Sequence, residues 1–255
     1  MSIDVLQAIA QAQASWQPPQ VPEDIPQGDM PGDKVWIGPQ SIEKANVAFR
    51  AALPMLQEAL KANPAHKAVI AVTGGSGVMK TCVSALFTYY LKELGIGAYT
   101  LSGDNYPWRI PVQNDAERMR IFRMGGVEGM LAQGVYNPEN AAILKELQLA
   151  DLDSEPKKQE EYPWLAAYQS AGREALSGYL GTELEQNYAK LESVLAQFKA
   201  GQEKIWLRRL GNEDTDLWYD EKNFSQISVL VLEWTHGISG KFAGVDVPIL
   251  LSSTP

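Results

Sequence analysis

The sequence predicts an α/β fold of three layers, α/β/α, around a mostly parallel sheet. Three observations predict it. Residues 68–73 are apolar, rich in β-branched side chains, and pass through the glycines of 74–77 into a helical pattern that begins at Lys80. A second short apolar run, 96–102, follows that helix and completes a β-α-β unit. A third run, 227–234, is almost wholly apolar and carries one carboxylate, Glu233, where the strand should exit.

Composition is compatible with one large α/β body. The chain has 255 residues, 45% of them hydrophobic, which is enough for a sizeable core. The formal net charge of −9 argues against an extended nucleic-acid or anionic-membrane surface. No run reaches the eighteen or so apolar residues of a membrane span, and no basic region followed by an apolar run marks the N-terminus. The single cysteine, Cys82, allows no intramolecular disulfide, so a cytoplasmic location is expected. Two histidines, His66 and His236, with one cysteine make no zinc cluster.

Taken in order, residues 2–15 read as a short amphipathic helix. Residues 16–40 are rich in proline and glycine and form an irregular arm, with Trp16 and Trp36 as packing anchors. Ser41 is the expected N-cap of a helix to Ala62, whose apolar face carries Phe49, Leu53, Leu56 and Leu60. The first strand and its helix follow, and Gly95 is a natural stop for that helix. Asn114 with Glu117 reads as the capping box of a further helix that carries Arg118, Arg120 and Arg123. Residues 134–163 are polar and broken by prolines, and the charged run 151–161 reads as solvated surface. Residues 164–180 can be helical, although Gly172 and Gly178 weaken the pattern. Thr182 with Glu185 reads as another capping box. Leu184, Tyr188, Leu191, Leu195 and Phe198 then recur at helical spacing, as a core or lid face or as the seam of a homodimer. Residues 204–210 are a candidate strand, and 211–222 a hairpin or a covering loop. A last strand is expected within 245–252. Three regions result: 1–66 as arm and helix packed on the core, 67–255 as the main domain, and 134–222 within it as a largely helical insertion on the acceptor side or a lid. A doubly wound domain would continue past its last strand, so the chain is expected to lack a C-terminal part.

The chemistry centres on the loop after the first strand. Gly74, Gly75, Ser76, Gly77, Val78, Met79, Lys80 and Thr81 match G-x-x-x-x-G-K-[ST] except that Met79 stands where the second glycine belongs. In such a P-loop, successive backbone N–H groups and a helix N-terminus converge on phosphate oxygens. Lys80 would reach the β- and γ-phosphates as a point charge, and the Thr81 hydroxyl would join a Mg²⁺ shell. Methionine adds a Cβ and a flexible side chain beside the phosphates. Ligands of open α/β sheets bind beyond the carboxyl ends of the strands, so Asp104, just past the second strand, and Glu233 belong to the same rim. Glu233 is the candidate Mg²⁺ ligand through water. Arg109, Arg118 and Arg123 are candidate contacts for a phosphate or carboxylate on an acceptor, with surface ion pairs as the alternative. His236 is a further candidate acceptor contact, with a hydrogen-bonded loop histidine as its alternative.

The loop 74–81, the phrase Leu101-Ser102-Gly103-Asp104-Asn105-Tyr106 and the pair Leu232-Glu233 resemble the uridine kinase/phosphoribulokinase group of P-loop small-molecule kinases. The phrase Glu233-Trp234-Thr235-His236-Gly237 is similar to an uncharacterised bacterial branch of that group. The resemblance implies a P-loop NTPase fold and an ATP- and Mg²⁺-dependent transfer of phosphate to a hydroxyl of a small metabolite such as a nucleoside, a sugar phosphate or a small acid. It implies that Asp104 activates the acceptor hydroxyl or helps organise the metal, that Tyr106 lines the pocket, and that Glu233 is the group's strand-end glutamate. A catalytically impaired nucleotide-binding protein is the alternative that Met79 suggests.

Overall fold

The computed structural model describes residues 4–25, 28–30, 36–213 and 215–252. The expected readings of residues 2, 3 and 253–255, and parts of the arm, lie outside the described residues. Two compact units divide the chain. One comprises residues 1–106 and 188–255, and the other runs from Pro107 to Asn187.

The first unit holds a four-stranded parallel sheet. Its strands are β1 (Ala68–Thr73), β2 (Ala98–Ser102), β5 (Val229–Glu233) and β6 (Val247–Leu250), in the order β2-β5-β1-β6. Between β2 and β5 in sequence lies an antiparallel hairpin, β3 (Lys204–Leu210) with β4 (Leu217–Asn223). The strand period of two divides the sheet's side chains cleanly. Ala68, Ile70 and Val72 pack in one apolar cluster with the helices α1 (Val5–Ser15), α2 (Pro39–Ala62) and α3 (Lys80–Glu93). Val69, Ala71, Leu230 and Leu232 pack in a second cluster with α7 (Tyr188–Lys199) and with Ile205 and Leu207 of the hairpin. Every residue of β1 and β5 is buried, as strands covered on both faces require. The architecture is therefore three layers, α/β/α, around a parallel sheet.

Local caps follow the sequence with small shifts. Asp4 caps α1 by accepting from the Leu6 N–H. The α2 helix starts at Pro39, with Gly38 as its cap, so Ser41 lies inside the first turn rather than before it. Its hydroxyl still closes that turn, accepting from the Gly38 N–H and donating to the Gly38 carbonyl. Trp16 is buried against Phe49 and Tyr90, whereas the Trp36 side chain is largely exposed rather than a buried anchor. The 184–198 stripe is partly corrected. Tyr188, Leu191, Leu195 and Phe198 are core residues of the first unit, which removes them as a homodimer seam, and Leu184 is exposed ahead of the helix.

The second unit is helical: α4 (Pro111–Ala132), α5 (Pro138–Leu149) and α6 (Leu165–Ser177). Its bounds differ from the expected insertion 134–222, for a packing reason. A Cβ on Gly126 would fall 2.5 Å from the Tyr168 ring, and one on Gly129 would fall 2.1 Å from the Ala171 Cβ. The glycines let α4 lie directly on α6, so α4 belongs to this unit. Gly172, which weakens the helical pattern in the sequence, meets the Phe122 backbone and ring in the same seam. The residues from 188 onward pack instead with the sheet.

Candidate functional site

The sheet register sets the site. Val72 of β1, Glu233 of β5 and Ser102 of β2 stand level across neighbouring strands. The segments immediately beyond them leave the sheet together at its carboxyl edge: 74–79 after β1, 103–105 after β2 and 234–236 after β5.

Beyond β1 the backbone is unusual. Gly74 has φ 149°, and an added Cβ would lie 2.4 Å from the Leu251 carbonyl oxygen. Gly77 has φ 78° with open space around it. Met79 is left-handed, with φ 72° and ψ 28°, and it is the residue on which α3 begins. A non-glycine residue in that conformation costs roughly 1–2 kcal/mol. The loop thus demands a glycine conformation where the motif expects glycine, and Met79 adopts it under strain. Gly75, Ser76 and Gly77 are exposed, while Val78 is buried and braces the loop from below. The Lys80 ammonium reaches back and donates to the Gly75 carbonyl at 2.9 Å.

Beyond β5 and β2 the packing is tighter. Glu233 is 5% exposed. The Thr81 hydroxyl lies 3.4 Å from its Oε1 and the Ser102 hydroxyl 3.5 Å from its Oε2, both long for O–H···O contacts. Residues Gly103–Asn105 form a single 3-10 turn. Ser102 caps it, its hydroxyl accepting from the Asp104 N–H. A Cβ on Gly103 would lie 2.0 Å from the Trp234 ring, so only glycine fits between the β2 and β5 exits. Asp104 is exposed at the rim. The His236 ring meets Trp234 edge-on, with centroids 5.3 Å apart.

Thr81, Glu233 and Asp104 offer hard oxygen donors of the kind Mg²⁺ takes. Among the described residues, no group of three or more His, Cys, Asp or Glu side chains forms a metal cage by itself.

Other sequence candidates fall elsewhere. Tyr106 is fully buried in the core cluster that contains Trp234, so it lines no open pocket; its hydroxyl is without a hydrogen-bond partner among the described residues. Burial raises the pKa of that phenol. Arg109, Arg118 and Arg123 belong to the second unit, and their guanidinium groups are engaged there. Arg109 donates to the Tyr179 hydroxyl at 3.0 Å. Arg118 pairs with Glu185, whose side chain is wholly buried, at 2.6 Å. Arg123 pairs with the wholly buried Asp153 at 3.0 Å. The run 151–161 is mostly exposed, as read, and Asp153 is its buried exception. Glu185 corrects the expected capping box. It accepts from the Gly181 N–H, the Asn114 amide and Arg118, and α7 starts only at Tyr188. Asn114 lies inside α4 rather than before it.

Sequence reasoning missed Asp29. Its Oδ1 accepts from the Ser102 N–H at 2.6 Å, and its Oδ2 from the Tyr99 hydroxyl and from Arg209, both at 2.9 Å. Burial is the larger influence on the carboxyl and raises its pKa, against the pull of Arg209. A lone acid in a proline-rich arm gives no local signal of such a role. A cavity of about 420 Å³ beside β2 is lined in part by Asp29, Tyr99, Arg209 and Trp218. It contains none of the strand-exit residues described above.

No family model and no solved structure matches the chain. One curated protein does: the chain is 36% identical over 193 residues to the bifunctional alpha-galactosidase/sucrose kinase AgaSK of Mediterraneibacter gnavus. The match covers 76% of this chain and 16% of that protein. The chain thus spans about a sixth of the length of the relative it matches. No described helix is long and apolar enough to cross a membrane.

Proposed function

We propose that this chain is an ATP-dependent phosphotransferase that acts on a hydroxyl of a small metabolite. The observation that carries the reading is the alignment of three strand exits: a left-handed, glycine-built loop with Lys80 and Thr81 after β1, Asp104 after β2 and Glu233 after β5. The kinase named in the relative's description supports the same reaction class, and it makes sucrose and related saccharides the first acceptors to test. The resemblance to the uridine kinase/phosphoribulokinase group supports nucleosides, sugar phosphates and small acids as the next.

In this reading the acceptor oxygen attacks the γ-phosphorus. The new O–P bond forms as the bond to the β–γ bridging oxygen breaks, and ADP departs with that electron pair. Asp104 orients the acceptor hydroxyl and takes its proton late in the transfer. Lys80 leaves the Gly75 carbonyl to hold the β- and γ-phosphate oxygens. Thr81 and Glu233, with Asp104 nearby, would hold Mg²⁺, which supplies charge neutralisation when bound. A second reading, a nucleotide-binding protein with impaired catalysis, draws on the strained Met79.

An ATP-consumption assay across saccharides, nucleosides, sugar phosphates, pantothenate and glycerate tests the proposal. Acceptor-dependent ADP release is expected, reduced at least a hundredfold by Asp104→Asn, with ATP affinity retained. Tight ATP binding with no acceptor-dependent turnover would favour the second reading. No nucleotide binding would end both.

A further inference from the structure

We propose that Asp29 is a positioning residue for this reaction, setting the backbone of the β2 exit and, through it, the place of Asp104. The inference rests on the phosphotransferase reading given above.

Among the described residues, the β2 strand is an edge of the sheet and pairs only with β5. Its outward backbone groups face no further strand among the described residues. Asp29 supplies the missing acceptor at Ser102, the last residue of the strand, through a short, charge-assisted bond of 2.6 Å. The carboxylate is itself held. Arg209 binds its second oxygen at 2.9 Å, and the Tyr99 hydroxyl binds the same oxygen. Arg209 is fixed in turn by Asp220 at 3.1 Å and by the Tyr99 hydroxyl at 3.0 Å. The Asp29 and Arg209 side chains are 8% and 3% exposed, so water does not replace these bonds readily.

From Ser102 the order passes two residues onward. The Ser102 hydroxyl accepts from the Asp104 N–H. At the far end of the same turn, the Asn105 side-chain oxygen accepts from the Leu210 N–H at the end of β3. The turn that presents Asp104 is therefore clamped at both ends, by the arm at one and by the hairpin at the other. Removing the Asp29 carboxylate releases one clamp and leaves β1, its loop and α3 untouched. The expected consequence is a displaced acceptor side with an intact nucleotide side.

The test compares the parent chain with Asp29→Ala, Asp29→Asn and a core control, Val194→Ala, all assayed well below their melting temperatures. For Asp29→Ala, kcat is expected to fall at least thirtyfold, while the ATP dissociation constant stays within threefold. Backbone hydrogen exchange in 101–106 should quicken at least tenfold, with β1 unchanged. Asp29→Asn keeps an oxygen for the Ser102 N–H but loses the charge, so its kcat should lie three- to tenfold below the parent. Val194→Ala, destabilised without touching the turn, should keep kcat within twofold. A purely structural role would lower ATP affinity and kcat together, or would make Val194→Ala fall as far, and either result overturns the inference. Parent-like kcat and exchange in Asp29→Ala overturn it as well. If Asp29→Ala does not fold, parent-like kcat in Asp29→Asn does the same. A parent chain with no acceptor-dependent turnover removes the phosphotransferase reading and this inference with it, whereas an active parent with indifferent Asp29 variants removes only the inference.

Discussion

The strand exits of the sheet unit and the interior of the helical unit treat charge in opposite ways. At the strand exits, Lys80 donates to a loop carbonyl and Asp104 is exposed. In the helical unit, Arg118 and Arg123 end on Glu185 and Asp153, carboxylates with no exposed surface. Charged residues that look alike in sequence therefore differ in what they can do. A cation beside a left-handed loop can be redirected to a ligand at little cost. A cation that neutralises a buried carboxylate cannot leave it, because the unpaired acid would then face a desolvation penalty.

Substitutions can break or sharpen this contrast. The largest effect is expected at Lys80. Lys80→Ala should weaken ATP–Mg²⁺ binding more than a hundredfold in calorimetry at fixed salt, with the urea midpoint nearly unchanged. Unaltered binding would refute the phosphate-loop reading of the sheet unit.

The arginines should behave the other way round. Arg118→Ala or Arg123→Ala should destabilise the protein by about 2–3 kcal/mol, because each leaves a buried carboxylate short of its partner. Denaturant unfolding measures this, and ATP affinity measured alongside should stay within twofold. An arginine variant of full stability that loses acceptor affinity would restore these residues to the acceptor site and erase the contrast.

A smaller change is expected at Met79. Met79→Gly relieves a left-handed non-glycine residue, worth roughly 1 kcal/mol. It should tighten ATP–Mg²⁺ binding or raise turnover several-fold. Unchanged affinity and rate would mean that the loop backbone already holds its binding conformation with methionine present.

The smallest effect is a pH slope within the helical unit. Burial pushes the Glu185 carboxyl up, but the Gly181 N–H, Arg118 and Asn114 outweigh burial and hold it below its usual 4.5. A depressed acid stabilises the fold above its unfolded pKa and loses that contribution as pH falls through its folded pKa. Stability should therefore decline from about pH 4.5 downward, less steeply in Glu185→Gln. An identical slope in the variant would assign the acid loss to other carboxylates.

The sequence by itself determined the β-α-β unit, the strands at 68–73 and within 227–234, the glycine-rich loop that leads into a helix and the carboxylates at two strand exits. Those signals are local: apolar runs of strand length, glycines before a helix, a lysine at its start. It also marked Met79 as the departure from the motif, and the structure adds that the position calls for a left-handed backbone. Tertiary structure alone decided the rest. Gly172 reads as helix weakness in the sequence, and only the close approach of Phe122 in the fold gives it a packing reason. Thr182 and Glu185 have capping-box spacing, but Glu185 satisfies groups from Gly181, Asn114 and Arg118 instead. Asp29 precedes Ser102 by 73 positions and Arg209 by far more, and no local pattern joins them. Periodicity and motif spacing record what a residue's neighbours in sequence require. A carboxylate's partner in the folded core is set by which distant segments the fold brings together, and in a single sequence that leaves no mark.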